Sequence, residues 1–223
     1  MTNFKMPQHV VDRVIEKRGR LNVFDSFDPT KTAFLVIDMQ NFFVSGVQAC
    51  LDIIPNINRL SETVRNKGGL VAWVVLTVAE THDGPSLWPI YHDNFFTAEK
   101  REAHKNGLTR GSEGHALYPT LVTSPTDLIS EKTRFSALVQ GSSDLHEKLQ
   151  ERGIENVLVG GTLTNMCCES TARDAMMIGY KAIMVEDCNA SRNAEDHLVG
   201  LTSVYQSFGD VRSTEDVITN VLG

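Results

Sequence analysis

The chain has little to staple it and nothing to thread it through a membrane. Its four cysteines, Cys50, Cys167, Cys168 and Cys188, form no C-x-x-C pair, which argues against a structural zinc site and fits a reducing compartment. No apolar run approaches the roughly 18 residues of a membrane span. Residues 1–20 contain no uncharged apolar core, so no secretory signal is expected and a cytoplasmic location is. An excess of basic residues is also missing: 21 Lys and Arg face 28 Asp and Glu, for a formal charge of −7. That balance argues against general nucleic-acid binding, which neutralises phosphates with clustered cations, but leaves room for a basic pocket for a small anion. Neither G-x-G-x-x-G nor the P-loop spacing occurs, which sets aside the usual nucleotide folds.

What is present suits one soluble domain. Of 223 residues, 41% are hydrophobic and 22% charged, enough to bury a core without covalent help. Residues 7–18 read as a helix with Val10, Val11, Val14 and Ile15 on one face and Gly19 as its stop. From residue 32 strands and helices alternate. TAFLVID (32–38), LVAWVVLT (70–77), DLISEK (127–132), NVLVGG (156–161) and KAIMVED (181–187) read as buried strands, with a short sixth at 210–212. Helices are expected at 53–67, 143–152, 167–178 and 195–207, and a last one opens on the capping pattern Ser213-x-x-Asp216. Continuous apolar strands alternating with helices predict an α/β, doubly wound, mostly parallel sheet with helices on both faces. The organisation expected is an N-terminal helical extension over 1–30 and a single domain over 31–223. Residues 78–126 are too long for an ordinary connection and are expected to form a lid or specificity loop.

Parallel sheets of this kind bind ligands beyond the carboxyl ends of their strands. Three such ends carry reactive side chains: Asp38 closes the first strand, Lys132 closes the third, and Cys167 follows the fourth across a turn at the start of a helix. Taken singly, each has a plain reading, as a cap, a solvated strand end and core packing. Together they converge on one sheet edge. A thiol needs a base and a way to favour its anion. Asp38 is expected to accept the thiol proton and return it to a leaving nitrogen, while Lys132 and the helix start favour the thiolate. The backbone N–H groups of Leu163 and Cys167 are placed to form an oxyanion hole. None of the seven histidines lies beside these strand ends. The four in the long loop show neither D-x-H nor H-x-x-x-H spacing, so no metal and no other cofactor are expected.

The segments AFLVIDMQNFF (33–43), EKTRFSAL (131–138) and VGGTLTNMCCESTARDAMMIGYKAIMVED (159–187) resemble the isochorismatase-like cysteine hydrolases from about residue 32 to the end. The resemblance implies the triad Asp38, Lys132 and Cys167, with Cys167 rather than Cys168 as nucleophile, and a cis peptide joining Thr162 to Leu163. It places Gln40 and Phe43 where relatives line the pocket. Isochorismate hydrolases of the family lack the nucleophilic cysteine, so Cys167 implies amide chemistry. The D-x-H metal motif usual in its nicotinamidases is missing from 43–55. The pattern Lys132-x-Arg134-Phe135-Ser136 with Cys167-x-Glu169-Ser170-Thr171 is most similar to the ureidoacrylate and N-carbamoyl branch. Arg134 could pair with a substrate carboxylate or make a structural salt bridge. Asn165 could bind substrate, but a cap is the favoured reading. Trp88 could wall the pocket or fill a loop core.

These observations predict hydrolysis of a C–N bond in a small amide or ureido substrate through a thioester. The alternatives are vinyl-ether hydrolysis of an isochorismate-like substrate, or a non-catalytic binding protein on the same fold. Expected partners are the small-molecule substrate and further copies of the chain, as a homodimer or homotetramer, because the apolar face of residues 10–15 needs covering and relatives commonly associate.

Overall fold

The computed structural model describes residues 5–223. Six strands form one sheet in the order β3-β2-β1-β4-β5-β6, and every neighbouring pair is parallel. In chain order the elements are α1 (Gln8–Arg18), β1 (Thr32–Ile37), the short α2 (Asn41–Val44) and α3 (Gln48–Asp52), α4 (Ile54–Asn66) and β2 (Leu70–Leu76). Next come α5 (Pro89–Asn94), α6 (Ala98–Leu108), β3 (Leu128–Lys132), α7 (Leu145–Glu151) and β4 (Asn156–Thr162). A π-helical turn (Thr164–Cys168) leads into α8 (Glu169–Met177), followed by β5 (Lys181–Ala190), α9 (Ala194–Ser207), β6 (Asp210–Arg212), α10 (Thr214–Asp216) and a closing π-turn (Val217–Val221).

The apolar run of β1 explains its central place, since all six of its residues are buried. Side chains alternate across a strand, so Phe34 and Val36 enter one core with α4 and the C-terminal turn. Ala33, Leu35 and Ile37 enter a second core with α7, α8 and α9. This is the expected layered α/β fold.

The N-terminal helix resolves as a strap across its own domain. Val10 and Val14 are buried against Tyr205 of α9, and the Tyr205 hydroxyl donates to the Leu21 carbonyl at 2.8 Å. Asp210 of β6 accepts the N–H groups of Val23 and Phe24 and pairs with Arg18. Those two valines need no second chain to cover them, although Ile15 remains 44% exposed. The 78–126 insertion is not bare loop. It holds α5 and α6, and its return leg makes a parallel bridge from Thr109 to Ala79.

Candidate active site

The strand order reverses between β1 and β4, which places the crevice expected of such sheets at their carboxyl ends. Asp38 directly follows β1 with a left-handed φ of 51°, and its N–H donates to the Val74 carbonyl at 2.8 Å. Gly161 faces Ile37 in register with φ +116°; a Cβ there would stand 2.0 Å from the Ile37 carbonyl oxygen. Only glycine allows β4 to close on β1 at this point. Lys132 ends β3, two strands from β1, yet its Nζ lies 2.8 Å from Asp38 Oδ2 with both side chains buried. The same ammonium donates to the Arg134 carbonyl at 3.0 Å.

Cys167 lies in the π-turn rather than at the start of an α-helix, and is 7% exposed. The Thr162–Leu163 peptide before it is cis. The Leu163 carbonyl accepts the N–H groups of Met166 and Cys168. Helix α9 packs its bare backbone on this turn, because a Cβ at Gly200 would stand 2.8 Å from Asn165 Cα. Thr164 Oγ1 meets His197 Nδ1 at 2.8 Å, and Ser191 donates to Asn165 Oδ1 at 2.8 Å. Asn165 is thus a tie to the end of β5, not the expected cap.

Burial dominates the electrostatics. It pushes the Asp38 carboxyl up, against the opposing pull of Lys132 and of the Cys167 thiol. It would depress the Lys132 ammonium, but the Asp38 and Cys167 charges outweigh it and hold the cation above its usual range. The Cys167 thiol is pushed well up, by burial first and the Asp38 charge second, with Lys132 opposing. Burial thus favours the neutral thiol and opposes the pull of Lys132 toward the anion. A thiol so held needs a neighbouring base to accept its proton before or as it reacts.

The remaining sequence candidates divide differently than expected. Gln40 is fully buried and spent on backbone: Nε2 donates to the carbonyls of Leu76 and His115, and Oε1 accepts the Leu76 N–H. It braces the site and has little left for a substrate. Phe43 packs on Leu76, Val78 and Leu108 beneath the insertion. Arg134 makes no salt bridge among the described residues; its Nη1 holds the carbonyls of Leu87 and Thr133, and its guanidinium lies 5.3 Å from the Trp88 ring. Trp88 stacks on Tyr91 at 4.6 Å and meets Phe135 edge-on at 4.9 Å, forming an aromatic wall shared by the insertion and the segment after β3. Tyr91 and Arg192 are the residues that sequence reasoning missed. Burial and then Cys167 raise the Tyr91 hydroxyl, while Arg192 lowers it, which puts Tyr91 near the nucleophile and Arg192 near Tyr91. Arg192 is exposed just beyond β5 and has no ion-pair partner among the described residues. No periodicity marks either position.

Within the insertion, His92 Nε2 and His104 Nδ1 share a hydrogen bond at 2.8 Å, packed against Phe96. His92 Nδ1 is buried without a partner among the described residues. Burial holds both rings below the usual imidazole range, and the neighbouring His92 helps bring His104 down to about 4. Folded values lie below unfolded ones, so the pair's contribution is whole above about pH 6.5 and is lost as pH falls toward that of His104. Cleavage by an acid-tolerant protease within 78–126 should accelerate across that window, and a His92→Phe/His104→Phe variant should lose the dependence. An unchanged cleavage rate in the parent chain would contradict it.

An isochorismatase domain model matches residues 32–216. Among solved structures, a cysteine hydrolase from Pseudomonas syringae pv. phaseolicola 1448A is 26% identical, covering 89% of this chain and 97% of its own, with a TM-score of 0.72. A nicotinamidase from Bacillus subtilis is 26% identical over 82% of this chain and 99% of its own, with a TM-score of 0.67. An N-carbamoylsarcosine amidase from Thermoplasma acidophilum shares the fold at 24% identity and a TM-score of 0.65, over 83% and 97%.

Proposed function

This chain belongs to the isochorismatase family, and on that premise we propose that it is a cysteine-dependent amidohydrolase cleaving a C–N bond in a small amide or ureido substrate. The observation that carries this reading is the buried 2.8 Å pair of Asp38 and Lys132 with the Cys167 thiol beside it. The likeness to a cysteine hydrolase and a nicotinamidase at 26% identity supports the same chemistry.

In this mechanism Asp38 takes the thiol proton as Sγ attacks the substrate carbonyl carbon. The oxyanion rests on the N–H groups of Leu163 and Cys167. As the tetrahedral species collapses, the C–N bond breaks and Asp38 returns the proton to the leaving nitrogen, releasing ammonia or an amine. Water then gives a proton to Asp38 and attacks the thioester carbonyl, and the regenerated thiol recovers that proton. Lys132 stays cationic throughout, holding Asp38 in place and balancing its charge. Trp88, Tyr91 and Phe135 wall the approach, and Arg192 offers a cation to a substrate carboxylate, the role that Arg134 does not have free.

An ammonia-release panel of ureido acids, carbamoyl amines and aryl amides tests this. Turnover is expected on a carboxylate-bearing member, with Arg192→Ala raising KM for it by about tenfold or more, and chloroacetamide should label Cys167 and stop the reaction. No turnover across the panel would overturn the reading. Isochorismate cleavage that survives Cys167→Ser would replace it with ether hydrolysis.

A further inference from the structure

Asp38 and Lys132 meet although their strands do not, because β2 lies between β1 and β3. Their separation therefore depends on how the end of β2 is held. Thr77, the residue after β2, donates its N–H to the Lys132 carbonyl at 2.9 Å, and Leu76 pairs with Lys132 in register. The Thr77 hydroxyl is buried and donates to Glu131 Oε2 at 2.8 Å. Its lone pairs then face His115 Nε2, also at 2.8 Å, which assigns the imidazole proton to Nε2. Glu131 directly precedes Lys132, so its side chain leaves the strand on the opposite face. There Arg110 grips it through Nε at 2.9 Å and Nη2 at 2.6 Å and also pairs with Glu80. His115 closes the circuit, since its carbonyl accepts from Gln40, two residues beyond Asp38.

Arg110 and His115 both belong to the 78–126 insertion. That insertion leaves β2 at Val78 and returns beside it: the Val78 N–H donates to Leu108 at 2.9 Å, and the Arg110 N–H donates to Ala79 at 3.0 Å. The same segment carries Trp88 and Tyr91, whose rings stack at 4.6 Å, and Tyr91 lies near Cys167.

We propose that Thr77, His115, Glu131 and Arg110 form a positioning web that sets the separation of Asp38 and Lys132 and couples the seating of the insertion to the reactivity of Cys167. This rests on the reading of those three groups as the reacting machinery. None of the four web residues touches the reacting atoms; they act through the strand end that bears Lys132. Burial pushes the Glu131 carboxyl up, but Arg110 and Thr77 together hold it below the usual range, so the web carries a fixed anion on the face of β3 opposite Lys132.

Thr77→Val keeps the side-chain shape and removes the shared hydroxyl. It should lower kcat by about tenfold or more with KM little changed, as misplacement of a reacting group does. It should also move the pH profile of Cys167 alkylation by iodoacetamide, which reads the Asp38 and Lys132 charges without any substrate. Thr77→Ser should restore both. Arg110→Ala, which alters a partly exposed side chain and spares the core, should shift both readouts in the same direction by a smaller factor. Arg59→Ala, which breaks the distant surface pair with Glu215, should shift neither. Parent-like kcat and alkylation profiles in both Thr77→Val and Arg110→Ala would overturn the web while leaving the triad standing. Full turnover in Cys167→Ala would instead remove the triad reading, and this inference with it.

Discussion

A Lys132→Met variant should lose about 3–5 kcal/mol of stability and all measurable turnover, whereas Lys132→Met combined with Asp38→Asn should regain most of the stability and none of the turnover. Removing one member of a buried ion pair strands the other charge, and the stranded charge accounts for most of the cost. Here the case is severe, because both side chains are buried and meet at 2.8 Å. Beyond this ion pair, Asp38 has no well-formed side-chain hydrogen bond among the described residues. Burial already pushes the Asp38 carboxyl up, so without the ammonium it would take up a proton and cease to serve as a base. The double variant replaces two charges by neutral groups of similar length, which is often tolerated. Urea midpoints with unchanged m-values would measure the stability arm. If the single variant were as stable as the parent, the pair could not be the buried, mutually dependent unit described above.

That pair was legible in the sequence because it sits where two strong signals end. The apolar runs closing at Asp38 and Lys132 are long enough to be read as buried strands, and a parallel sheet brings such ends together. What surrounds the pair was less legible. Helix α6 was not foreseen because AEKREAHKNGL buries only Leu108, so it has no apolar stripe to betray it. The roles of Gln40 and Arg134 were misread for a common reason. A long polar side chain near a strand end can serve substrate or backbone, and only coordinates show that nearby carbonyls had already claimed both. Spacing reveals a cation and a helical turn near the thiol, but not the depth of its burial. Gly161 and Gly200 each stand where another backbone passes too close for a Cβ, and nothing in their spacing alone announces that approach.

The two adjacent cysteines allow a sharper separation of function from packing than any one substitution. Cys167→Ala should lower turnover by about four orders of magnitude or more, the scale on which covalent enzymes depend on their nucleophile, with stability within about 1 kcal/mol of the parent. Cys168→Ala should do the reverse. Its side chain is fully buried in the core shared with α8 and α9, so truncation leaves a small cavity costing about 1 kcal/mol, and activity should stay close to that of the parent. Alkylation should follow the same division. Burial raises both thiols, but Cys168 is fully enclosed whereas Cys167 keeps 7% exposure and has Asp38 beside it. Mass spectrometry after chloroacetamide treatment should therefore find the label on Cys167 in the parent chain and in Cys168→Ala, and no label at this site in Cys167→Ala. The converse pattern, with the label and the loss of turnover both following Cys168, would mean that the π-turn presents the other sulfur to the substrate. The proton path from sulfur to Asp38 would then have to be abandoned along with the nucleophile.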